Sequence, residues 1–157
     1  MNLRMVTLLS GLFFFTLFKS VMAVETVSNF SGKTLSGSTF NFSSQSSEKA
    51  TLLVFWASWC VYCLAEIPKL KTLHTRFDST LQIFGVNVNK RTADGLKTAQ
   101  QYQLPYPSLA DSNLQIADQF NVRGTPVLIV IDKQGRMIKR SHRLDDLLIK
   151  AIEKVSL

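Results

Sequence analysis

The apolar residues of this chain fall into two kinds of run, and their alternation sets out the elements. Leu52 to Trp56 follow one another without a polar break, as in a strand buried on both faces of a parallel sheet, and the strand is read from Thr51 to Trp56. Leu81–Val88 and Val127–Ile131 read as strands too. Between the first two the period lengthens. Leu64, Ile67, Leu70, Leu73 and Phe77 recur at helical spacing, which predicts a helix over Cys60–Arg76 with one apolar stripe. Pro68 lies inside it and should kink it, because its ring and missing N–H disturb the ladder. Further helices are predicted over Thr92–Tyr102, from a Ser112 cap to Phe120, and over Leu144–Val155. Leu104 to Pro107 reads as an extended linker, since the residue before each proline is pushed out of the helical region.

Upstream, Glu25 to Lys49 is rich in Ser, Thr, Gly and Asn. Two alternating runs, Thr26–Phe30 and Ser38–Phe42, flank Ser31-Gly32-Lys33 and Ser36-Gly37, which predicts a β-hairpin. Gln45 to Lys49 reads as a polar loop. Near the other end, Asp132 to Gly135 is a hairpin turn with Arg136–Arg140 as the returning edge strand. The order is hairpin, then β-α-β-α, then α-β-β-α. That is an α/β chain with a mixed central sheet flanked by helices.

The 157 residues support one domain. Its first stretch has a separate purpose. Arg4 begins a short positive segment, Val6 to Phe18 is uncharged and apolar, and Val21-Met22-Ala23 places modest residues where a signal peptidase cuts. The run is shorter than the roughly 20 residues of a membrane span, and Lys19 interrupts it. Residues 1–23 are therefore read as a signal peptide and 24–157 as the domain. The alternative is a retained anchor, with Lys19 snorkelling and the run extending to Val24. Both readings export the domain, to the periplasm, with a membrane-anchored form as the variant.

Composition narrows the function by exclusion. With 46% hydrophobic and 18% charged residues the chain is globular. Setting aside Arg4 and Lys19 leaves 16 basic residues against 11 acidic ones, a net +5. The densest basic group, Lys133, Arg136, Lys139, Arg140 and Arg143, contains no aromatic residue and reads as a solvated strand edge. A nucleic-acid surface would interleave stacking residues, so no nucleic-acid partner is expected.

Export changes how the two cysteines are read. Cys60 and Cys63 are the whole complement, and a bridge between them closes almost no loop, so as a staple it stabilises little. The pair suits chemistry better. A zinc site would need two more soft ligands, and His74 and His142 stand far apart in sequence, so neither is assigned a role and no metal is expected. Cu(I) handling is the alternative from another class, but no Met stands beside the pair. Cys60 lies where strand gives way to helix, facing unpaired backbone N–H groups and the positive end of the dipole. It should ionise easily and act as the attacking thiolate. Cys63, one turn on and expected to be less exposed, should resolve the mixed disulfide.

The segment Phe55-Trp56-Ala57-Ser58-Trp59-Cys60-Val61-Tyr62-Cys63 resembles the active-site segment of the thioredoxin superfamily. Glu66-Ile67-Pro68, Phe84-Gly85-Val86-Asn87, Tyr106-Pro107, Gly124-Thr125-Pro126 and Ile131 to Gly135, with the N-terminal hairpin, narrow the resemblance to the exported TlpA, ResA and DsbE branch. It spans about Val27 to Val155. The resemblance implies a thioredoxin-like fold, a cis bond at Pro126 facing the cysteines, and Glu66 as the group that takes and returns the proton of Cys63. Trp59 and Thr125 are the candidate substrate contacts. No cofactor is implied. The function implied is reduction of disulfides in exported, cysteine-containing proteins, apocytochrome c among them, with a membrane electron donor of the DsbD or CcdA type. Val61-Tyr62 departs from the proline that many reducing members carry before the second cysteine. Tyr62 instead resembles isomerase-type sites, so oxidase or isomerase is the alternative direction.

Overall fold

The computed structural model describes residues 26–43 and 47–157. The expected signal peptide, its cleavage point after Ala23 and part of the polar loop lie outside the described residues. Strand β1 (Phe30–Lys33) pairs antiparallel with β2 (Thr39–Phe42) as a separate hairpin. The main sheet contains β3 (Ala50–Trp56), β4 (Leu81–Asn87), β5 (Ser108–Ala110), β6 (Val127–Ile131) and β7 (Met137–Ser141), in the order β5-β4-β3-β6-β7. The β3–β4 and β4–β5 pairs are parallel, while β3–β6 and β6–β7 are antiparallel. The helices are α1 (Val61–Phe77), α2 (Thr92–Gln101), α3 (Gln115–Gln119) and α4 (Asp146–Val155). The expected α/β thioredoxin-like architecture with an N-terminal hairpin is borne out.

The core explains why β3 is apolar throughout. All its residues are buried, because helices or the hairpin cover both sheet faces. Leu53 and Phe55 join Ile129, Phe30, Phe42 and Phe120 on the hairpin side. Leu52 and Val54 join Val130, Leu70, Leu148 and Ile152 under α1 and α4. Two opposed faces thus hold one strand at the centre, and its C-terminal end is a rigid platform for whatever follows.

Local details differ from the expected ones in three places. The first hairpin strand lies at Phe30–Lys33, further along than expected, and Thr26 instead makes an isolated bridge to Arg136. The short helix before Phe120 is not capped by Ser112. Leu114 occupies the cap position with φ 62°, and the buried Asp111 carboxylate accepts from Ile116 N–H (3.0 Å) and Ala117 N–H (2.8 Å). Two oxygens reaching two orphan N–H groups do more than one hydroxyl would. The stretch after the Leu104–Pro107 linker, for which no element is predicted, is a short edge strand, β5, pairing with Gly85 to Asn87. Helix α1 contains Pro68 and ends at Phe77, within one residue of the expected end. Tyr106, next to β5, is buried, and burial pushes its phenol well above the ordinary value.

Candidate redox site

Strand β3 ends at Trp56 and the chain turns at once. Cys60 N–H donates to Ala57 C=O (3.1 Å), and Cys60 then caps α1 with φ −86° and ψ 96°. Its Sγ accepts from Cys63 N–H at 3.1 Å. A sulfur at the N-cap meets one of the helix's unpaired donors and the positive end of its dipole, and both favour a thiolate once the pair is reduced. Cys60 and Cys63 are joined as a disulfide, with Cα atoms 5.2 Å apart.

Exposure does not distinguish the two sulfurs as expected. Both residues are 5% exposed. Cys63 is shielded by lying one turn into α1, but Cys60 is equally enclosed by Leu35, Trp56 and Ala57. What separates them is position on the helix: Cys60 stands at the cap and Cys63 within the first turn. Around this enclosed pair the surface is apolar, with Trp59, Val61 and Tyr62 exposed by 66%, 74% and 78%.

The Thr125–Pro126 bond is cis, and Pro126 is buried. Thr125 and Trp59, far apart in sequence, line one cleft of about 270 Å³ together with Val88, Leu114, Ala117 and Val122. An Asp118–Arg123 ion pair (2.6 Å) stands at its rim. The Thr125 hydroxyl is buried without a hydrogen-bond partner among the described residues.

Glu66 is largely enclosed, its side chain 12% exposed, and its hydrogen-bond partners are groups other than the cysteines. One carboxylate oxygen accepts from Leu144 N–H (3.0 Å) and the other meets Lys69 Nζ (3.5 Å). It therefore ties α1 to the loop before α4. That loop carries two further contacts. Asp145 caps α4, and the Leu148 N–H and then the Ser141 hydroxyl hold its carboxyl below the ordinary value. His142 Nδ1–H donates to the carbonyl of Pro126 at 3.0 Å, which assigns the proton to Nδ1.

Two groups near the site carried no expectation. The sequence predicts no role for His142, yet the β6–β7 register sets Ser141 opposite Leu128, and the next residue bonds to Pro126. Counting back from the Asp132–Gly135 turn would have indicated this, except that a register shift at Val130/Ile131 moves the count. The second group is Asn87 and Asn89, both buried and bonded to one another and to the turn before Cys60. Two amides spaced by one residue at a strand end were the available signal.

Comparison with known proteins agrees with this geometry. Residues 24–140 match the AhpC/TSA family. Thiol-disulfide oxidoreductase ResA of Halalkalibacterium halodurans is 27% identical over 92 residues, 58% of this chain and 52% of that protein. Thioredoxin-like protein YneN of Bacillus subtilis is 33% identical over 110 residues, covering 68% and 64%. The chain thus spans about half the length of the ResA proteins it matches. Among solved structures, a secreted Mycobacterium tuberculosis disulfide oxidoreductase homologous to E. coli DsbE superposes with a TM-score of 0.70 at 23% identity, covering 80% of this chain and 95% of that one. At that identity the likeness is one of fold.

Proposed function

This chain belongs to the AhpC/TSA family, and from that premise we propose that it is an exported thiol–disulfide oxidoreductase that reduces disulfides of other exported proteins. The observation that carries the reading is Cys60 at the cap of α1, its sulfur on the Cys63 N–H at 3.1 Å. In the reduced form the Cys60 thiolate attacks a substrate disulfide. One substrate sulfur leaves as a thiolate and takes a proton, while the other stays bonded to Cys60. Cys63 loses its proton and attacks Cys60 Sγ, expelling the second substrate thiolate and closing the Cys60–Cys63 disulfide. Two electrons have passed to the substrate. A dithiol donor must return them, and a membrane donor of the DsbD or CcdA type is the partner the resemblance implies. In this scheme Glu66, one helical turn from Cys63, accepts the resolving proton. The substrates are exported proteins with closely placed cysteines, apocytochrome c among them, and residues 1–23 act as the signal for export, or as a retained anchor.

The reduction potential decides the direction of flow. Equilibration with a glutathione or dithiothreitol couple should give a value near the roughly −270 mV of thioredoxin, far from the roughly −120 mV of DsbA. A value at the oxidising end, with efficient oxidation of a reduced test protein, would instead make the chain an oxidase or isomerase. Tyr62, 78% exposed beside the site, would then be the residue to examine.

The apolar cleft lined by Trp59, the residue before Cys60, suits the residues flanking a substrate cysteine. Trp59 is 66% exposed and lines it. Partial burial of such a ring against a substrate is worth on the order of 1 kcal/mol, so Trp59→Ala should lower kcat/KM for a disulfide-linked peptide by about fivefold. The reaction with a small reagent that does not reach the cleft should change by less than about twofold. Equal losses with both would remove Trp59 from the substrate surface.

A further inference from the structure

We propose that Asn89, braced by Asn87, is a positioning residue for Cys60: through Ser58 it fixes the turn that holds the sulfur at the start of α1. The proposal rests on the redox reading above and adds to it a part of the machinery distant from the cysteines in sequence.

The network begins where two strands end together. Asn87 is the last residue of β4 and pairs with Trp56, the last of β3, and Val88 N–H donates to Trp56 C=O at 3.0 Å. Asn87 is 0% exposed and Asn89 4%. Asn89 Oδ1 accepts from the Ser58 backbone N–H (2.8 Å), and Asn89 Nδ2 donates to the Ser58 hydroxyl oxygen (2.6 Å). One amide thus grips both the backbone and the side chain of the same residue. Asn87 orients that amide: its Nδ2 donates to Asn89 Oδ1 (2.9 Å) and its Oδ1 accepts from Asn89 N–H (3.3 Å).

The enclosure is built for this. Gly95 of α2 lies directly on Asn87, where a Cβ would come within 2.3 Å of Oδ1. The bare glycine lets α2 close over the amide. Away from water, a fully satisfied set of hydrogen bonds specifies one geometry, because each alternative leaves a buried polar group unmet.

That geometry is what the thiolate needs. Between Ser58 and Cys60 stands only Trp59, which is mostly exposed and offers little burial to hold the turn. The turn's own hydrogen bond is the single Cys60 N–H to Ala57 C=O contact. Without the Asn89 grip the segment can shift, and the Sγ drifts from the Cys63 N–H and the helix dipole that favour its charge. Neither asparagine nor serine titrates near neutral pH, so the pH dependence of reactivity reports on the cysteines rather than on the brace.

The test follows alkylation of the reduced full chain by iodoacetamide from pH 5 to 10, with the labelled residue identified by mass. Reduction potential and thermal midpoint are measured alongside. Asn89→Ala should slow labelling of Cys60 at pH 7 by roughly tenfold while reaching the wild-type rate at high pH, an upward shift of about one unit. The reduced form loses the same factor, so the couple should become up to about 30 mV more negative. Ser58→Ala removes only the 2.6 Å contact of a partly exposed residue. It should give a two- to threefold slowing, and it decides the question if Asn89→Ala does not fold. Unchanged pH profile and potential in whichever variant folds, even with a lowered midpoint, would overturn the proposal and leave the amides as structural packing. If wild-type Cys60 were not the first residue labelled, the redox assignment itself would fail instead.

Discussion

Cys60→Ser is expected to abolish disulfide exchange, whereas Cys63→Ser leaves a protein that attacks once and stops. A serine hydroxyl at the helix cap is not appreciably ionised near neutral pH, so the N–H groups and dipole that favour a thiolate have no anion to act on. Turnover should fall by roughly a thousandfold or more, as when any single nucleophile is removed. Cys63→Ser keeps the attacking sulfur and loses only the group that expels the product. Cys60 should then accumulate as a mixed disulfide with its substrate, visible on a non-reducing gel as an adduct that dithiothreitol releases. Because both cysteines are 5% exposed, access does not choose between them. The choice rests on the cap position, with Cys60 Sγ accepting from Cys63 N–H. Adducts collecting on Cys63 in a Cys60→Ser protein, with none on Cys60 in the Cys63→Ser protein, would reverse the roles.

What the sequence reveals about this fold follows from how each feature is encoded. The central strand is legible because burial on both faces leaves an unbroken apolar run, Leu52 to Trp56, and β6 is legible for the same reason. The stripe of α1 is legible because Ile67, Leu70 and Leu73 all turn to one core face. Strand β5 was not, because three residues after a proline carry no period, and Ser108 is buried only by what the fold brings against it. The cap of α3 was missed for a related reason: Asp111 reaches across a left-handed Leu114 instead of capping from the adjacent position.

The candidate site divides in the same manner. The spacing of Cys60 and Cys63 and the strand-to-helix step are local and therefore readable. Asn89 meets Ser58 across 31 residues, and His142 meets Pro126 across 16, so those contacts exist only through strand register. Glu66 shows the limit of a motif carried over from relatives. Its place on α1 is set by spacing, but its partners, Leu144 and Lys69, are set by a loop 78 residues away and by the next helical turn.

The largest stability effect from a single added methyl is expected at Gly85. This residue of β4 lies between Val54 of β3 and Ser108 of β5, so neighbouring strands confine it from both sides. A Cβ built there would fall 2.0 Å from Ser108 Oγ and 2.8 Å from Trp56 Nε1. Neither neighbour can yield cheaply. Ser108 and Trp56 are 5% and 3% exposed, and the indole N–H donates to that hydroxyl at 3.2 Å. Moving the serine aside breaks this bond and strands a buried donor, which adds to the cost of overpacking. Gly85→Ala should therefore destabilise by about 3 kcal/mol, lowering the thermal midpoint by roughly 10 °C. Pairing it with Ser108→Gly removes the serine atoms of the collision, so the double variant should be more stable than Gly85→Ala alone. Recovery should stop short of wild type, because Trp56 Nε1 still lacks its acceptor. A cycle of the four proteins by chemical denaturation measures the coupling, which contact of this kind places at roughly 1–3 kcal/mol. Additive effects, or a neutral Gly85→Ala, would mean that β4 and β5 separate more easily than their packing implies. Since Trp56 packs in the same cluster as both cysteines, the site would then rest on a looser floor than the one described.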